Sequence, residues 1–177
     1  MKDFVVNLKE KYVFFGRYKQ ENNNLEPIKW RILKNDNNIL TLIADKILDC
    51  HRFDYTQTDY YKSELRLWLN IDFYNKAFNN NEKQILVKQN DDFVSLLTQE
   101  QASILKEQDL QRYVTNYAKQ KGTHISLFNK GMGWWWLNTN SPAFPLEAGL
   151  VVNSGSICYH FIREDNIGIV PLINIKI

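Results

Sequence analysis

Two cysteines in 177 residues, Cys50 and Cys158, are too few for a disulfide framework, and a chain of this length buries enough surface without one. Free buried thiols are the default expectation, with a single Cys50–Cys158 bridge as the alternative because both stand in apolar runs suited to neighbouring strands. Charge of one sign is missing as well: 22 Lys and Arg face 20 Asp and Glu, a formal net of +2, with the two signs interspersed. A polyanion partner needs Lys and Arg clustered on one face or tail, so neither nucleic acid nor an anionic membrane is expected. No run approaches the roughly 20 apolar residues of a membrane span, and Met1 to Asn7 has no apolar stretch of signal-peptide length. The chain as it stands is expected in the cytoplasm, or outside the cell or on a phage particle if it is a piece of something longer. Without a repeat or a low-complexity linker, one domain is expected over residues 11–177, after an extension at residues 1–10.

Apolar residues at 44% and aromatics at 14% supply a dense core rich in Phe, Tyr and Trp. Lys11 to Tyr18, Ile28 to Leu33 and Ile39 to Ala44 read as three short strands joined by Asn-rich turns, an antiparallel meander. The period then changes. From Ser63, a suitable N-cap, Leu65, Trp68, Leu69, Phe73 and Ala77 recur at spacings of three and four, one face of a helix with Trp68 in the core. Thr98 to Gln101 has the form of a capping box, and Asp109 opens a helix running through Tyr117 to a stop at Gly122. Phe93 to Leu97 reads as a buried strand. After Gly122, Trp134 to Leu137, Gly149 to Val152, Ile157 to Phe161 and Ile167 to Ile175 are β-type, the last crossed by Pro171, which makes it an edge or interrupts it.

In this order the residues resemble a known family. Phe15-Gly16-Arg17-Tyr18, Pro27 to Leu33, Leu65-Arg66-Leu67-Trp68-Leu69-Asn70, Asp92 to Leu97, Tyr117-Ala118 and Trp135-Trp136-Leu137 are similar to a widespread bacterial domain family of unknown function, often found in secreted or phage-related proteins. The likeness runs from Tyr12 to the C-terminal end. It implies a C-type-lectin-like α+β fold, of the branch that includes formylglycine-generating enzymes and phage receptor-binding proteins. Two positions depart from the family pattern: Asn138 stands where Arg usually follows Trp-Trp-Leu, and Gly168-Ile169-Val170-Pro171 stands where Gly-Val-Arg-Pro is usual. A role resting on those arginines does not carry over. Formylglycine-generating enzymes use a closely placed cysteine pair, which this chain lacks, so that activity is not expected.

Alternation sends Trp134 and Trp136 to one face of their strand and Trp135 to the other; all three as packing is the default expectation, and the alternative is that at least one ring serves as a platform for a sugar or a partner. Arg66 and Asn70, one helical turn apart, are expected to satisfy loop carbonyls. Cys50 and His51 point apart on an extended strand, while Cys158 and His160 share a face. Neither pair has a zinc spacing, and calcium would need several clustered oxygens, of which the Asn138 to Asn140 and Glu164 to Asn166 loops could contribute some; no metal and no cofactor is expected. With no catalytic set in view, the expected function is that of a non-catalytic binding module for a carbohydrate or a protein ligand, working through the loop after Gly131 and the later strand ends. Trp135, Asn138, Asn140, His160 and Arg163 are its expected contact residues. The alternatives are a cysteine-dependent enzyme and an assembly subunit of a phage-related or surface complex.

Overall fold

The computed structural model describes residues 5–7, 11–21, 24–128 and 131–177. It is a mixed α+β structure of two antiparallel-rich sheets and a few short helices. The first sheet opens with a meander of β2 (Tyr12–Lys19), β3 (Leu25–Asp36) and β4 (Ile39–Ala44), as the alternation predicts. Ile28 and Trp30 point inward from β3, and Asn37 and Asn38, both at positive φ, make the two-residue turn to β4. Within the expected extension, β1 (Val5–Asn7) pairs with β2.

A helical ridge packs on this sheet. The Ser63 side chain accepts the Arg66 N–H, opening α1 (Glu64–Trp68), a π turn (Leu69–Phe73) and α2 (Tyr74–Ala77). Leu65, Leu69, Phe73 and Ala77 are buried at spacings of four. Such spacing drifts by about 40° per step on an α-helix, and the wider π turn takes up that drift. Trp68 is half-buried between His51 and Phe73, not fully in the core. Gly16 allows the close approach: a Cβ there would meet the Phe78 ring at 2.7 Å and the Ala77 carbonyl at 2.8 Å. Its N–H donates to Glu82, whose other oxygen closes the capping box of α3 (Asn80–Lys83).

The chain continues through β6 (Leu86–Val87), β7 (Val94–Ser95) and α4 (Gln99–Ser103), which the Thr98 capping box opens as expected. The expected Phe93 to Leu97 strand is confined to β7. One expected helix is two: α5 (Glu107–Leu110) and α6 (Asn116–Gln120) are separated by extended chain that bridges Val114 to Ile47 and Tyr113 to Met132. Two features break it. Tyr113, Val114 and Thr115 favour extended backbone, and the buried Arg112 guanidinium donates to the carbonyls of Ala44, Asp109 and Gln111. Burial pulls Arg112 down to about 10, with the nearby Arg31 charge acting the same way, and it stays cationic at neutral pH.

In the second sheet, β8 (Trp135–Asn140), β9 (Glu147–Val151) and β10 (Ile157–Phe161) lie beside β11 (Gly168–Ile169) and β5 (Asp49–Cys50), in the order β10-β9-β8-β11-β5. Pro171 interrupts the last apolar run where it was expected to. Beyond it, β12 (Leu172–Lys176) returns to the first sheet and pairs with β4, so the two sheets share one core. Among the described residues no helix is long and apolar enough to cross a membrane.

Candidate binding cleft

A polar cleft of about 480 Å³ opens where three chain segments converge. The first wall is Thr58 to Tyr61. Asp54, buried just upstream, accepts the N–H groups of Thr56, Gln57 and Glu64 and so fixes the approach to the helical ridge. Burial alone would raise its carboxyl, but those amides outweigh it and hold it below the usual carboxylate range. Asp59 then caps the 3₁₀ turn Tyr60–Lys62 through the Tyr61 N–H and pairs with Lys62 at 3.1 Å. The second wall is the start of α4, Thr98 and Glu100. Hydrogen bonds from the Glu100 N–H and the Thr98 hydroxyl keep the Glu100 carboxyl below its ordinary value.

The end of β8 supplies the third wall. Asn138 donates its backbone N–H to the Leu97 carbonyl at 2.7 Å, and the Thr139 hydroxyl oxygen accepts the Gln99 N–H at 2.9 Å. Backbone and threonine bonds therefore set the frame, and the Asn138 and Asn140 side chains are not needed for it. Asn138 is half-buried and Asn140 exposed.

Two tyrosines were not anticipated from the sequence. Tyr60 is only 3% exposed, yet it lines the cleft and its hydroxyl has no hydrogen-bond partner among the described residues. Burial first, and the Asp92 charge second, raise its pKa well above the usual value, so it stays a protonated donor. Tyr61 is 46% exposed, with the Arg66 guanidinium 5.8 Å from its ring centroid and its hydroxyl accepting from Asn90 at 3.2 Å. The only sequence signal for either was the Asp59-Tyr60-Tyr61 run just before the Ser63 cap.

The five expected contact residues do not come together. Asn138 and Asn140 line the cleft. Trp135 is a correction: it is 0% exposed, its indole N–H donates to the Leu110 carbonyl and Arg112 lies 5.8 Å from its ring, so it offers no face to a ligand. Trp136 is equally buried, donating to the His51 carbonyl. The half-buried Trp is Trp134, between His124 at 4.1 Å and His160 at 5.6 Å. His160 and Asn140 both pair with Ala148 from opposite sides of β9, which separates them by about 10 Å, two strand spacings. Arg163 is exposed and donates to the Tyr55 carbonyl at 2.7 Å. Arg66 and Asn70 do satisfy loop groups: Arg66 binds Asp92 and the Tyr61 carbonyl, and Asn70 holds Phe93 and Val94.

Both cysteines are free. Cys50 is buried beside the Lys121 carbonyl, and burial pushes its thiol up, opposite to what a nucleophile needs. Cys158 is exposed, which corrects the expectation of two buried thiols. Among the described residues, no group of three or more His, Cys, Asp or Glu is arranged to hold a metal ion.

Two other hollows differ in kind. One, of about 530 Å³, is ringed by charges of both signs, among them Lys46 paired with Glu21 at 2.8 Å. The other, of about 580 Å³, includes the aliphatic side chains of Leu33, Ile39, Ile104 and Leu105. Set against known proteins, the chain matches no family model, no curated protein and no solved structure.

Proposed function

We propose that this protein is a non-catalytic binding module with a C-type-lectin-like α+β fold that holds a neutral carbohydrate in the cleft between Tyr61 and Asn138. The observation that carries this reading is the lining. Every side chain around the cleft bears a hydrogen-bonding group, none is a large aliphatic and none is basic. Amides and carboxylates of Asn138, Asn140, Asp59 and Glu100 suit the hydroxyls of a sugar, and the half-exposed Tyr61 ring offers a flat face for its C–H surface. A protein ligand is less well served, because its hot spots seat large apolar or aromatic anchors in desolvated pockets. Two carboxylates without a lining cation also disfavour an anionic sugar.

A glycan array probed with the purified protein tests the reading. Binding should concentrate on neutral glycans and be lost in an Asn138→Ala, Asn140→Ala double variant. An array that stays silent, or a signal the double variant retains, counts against it.

A further inference from the structure

Three hollows meet at Tyr61. The cleft of about 480 Å³ has Tyr61 in one wall; a second hollow, of about 350 Å³, is bordered by Tyr61 with Lys62, Glu64, Arg66, Leu67 and Asp91; and a narrow neck of about 30 Å³, room for a water but not for a sugar ring, shares lining residues with each. The neck shares Thr98 and Asn138 with the first hollow and Asp92 with the second, while Tyr61 borders all three. Resting on the carbohydrate reading, we infer that the natural ligand is a linear neutral oligosaccharide that crosses Tyr61 and occupies both hollows, and not a single sugar ring.

The junction is built and held. Arg66 reaches both oxygens of Asp92 at 2.8 and 2.9 Å and the Tyr61 carbonyl at 2.8 Å, tying the helical ridge to the neck and to the residue that carries the ring. Asn90 reaches the Tyr61 hydroxyl from a tight turn in which Asn90 and Asp91 both have positive φ, a conformation those residue types tolerate. The ring is thus fixed at both ends. Tyr60 lines the first hollow, and its buried hydroxyl has no hydrogen-bond partner among the described residues.

Isothermal titration with neutral β-1,4-linked gluco- and N-acetylgluco-oligosaccharides of one to six units tests this. Affinity should rise about tenfold or more between one unit and three or four as the second hollow fills, then level off. Tyr61→Ala should abolish that rise, whereas Tyr61→Phe, which keeps the ring, should preserve it. Affinity independent of length, or a rise that survives Tyr61→Ala, overturns the inference and leaves the carbohydrate reading standing. If no saccharide of any length binds, both fall.

Discussion

The backbone N–H of Asn138 donates to the carbonyl of Leu97 across 2.7 Å, fastening the end of β8 to the turn that opens α4. The side chain of Asn138 is thereby released from structural duty and faces the cleft. Replacing both Asn138 and Asn140 by Ala should accordingly leave the melting temperature within a few degrees of the parent, since changes of this kind stay within about 0.5 kcal/mol. Ligand affinity should fall at least about tenfold, the loss expected of one or two hydrogen bonds. Differential scanning fluorimetry and titration, run side by side, separate the two effects.

Asn70 is the opposite case. Its amide donates to the carbonyls of Arg66 and Val94 and accepts the N–H groups of Phe93 and Val94, so one side chain ties β7, which also pairs with β12, to the helical ridge. Asn70→Ala orphans those groups and should cost about 1–3 kcal/mol. A urea unfolding curve should show the lower midpoint. Asn70→Asp, which keeps the acceptor and loses the donor, should fall between the two.

The Tyr18 hydroxyl donates to the buried Asp49 at 2.7 Å, and burial together with that carboxylate raises the Tyr18 pKa far above its ordinary value. The unfolded phenol ionises near about 10. The folded chain retains a proton that the unfolded chain releases, so this contribution is complete below about pH 10 and is lost as pH rises above it. Tyr60 shifts in the same direction. Stability measured from about pH 8 to 11.5 should drop beyond about pH 10, and the drop should be shallower in Tyr18→Phe.

The two thiols should separate cleanly. Cys158 is exposed and Cys50 is buried with a raised pKa. Iodoacetamide at neutral pH should modify Cys158 in the native protein and Cys50 only after denaturation. Rapid native modification of Cys50 would contradict its placement and revive the enzyme alternative.

Much of the fold was legible because it rests on local signals. Ser63 and Thr98 announce helix starts through their own side chains, alternation in Ile28 to Ile32 marks a strand, and Pro171 cannot continue a ladder. The break at Gln111 to Thr115 was only half-signalled, by the extended preference of Tyr113, Val114 and Thr115, because its other cause is Arg112 finding carbonyls as far away as Ala44. The cleft was half-legible for the same reason. Asn138 and Asn140 stand in a segment that composition marks as a candidate, but Tyr60, Tyr61 and Glu100 join them only through long-range bonds such as Gln99 to Thr139. Trp135 misled because alternation tells two faces apart without saying which is covered, and here both are.

Amide chemical-shift mapping by NMR, with a neutral oligosaccharide titrated into the protein, tests the central claim most directly. Perturbations should cluster at Tyr60 and Tyr61, Thr98 to Glu100, and Asn138 to Asn140. Shifts confined instead to the His124, Trp134 and His160 surface, or no shifts at millimolar saccharide, would contradict it.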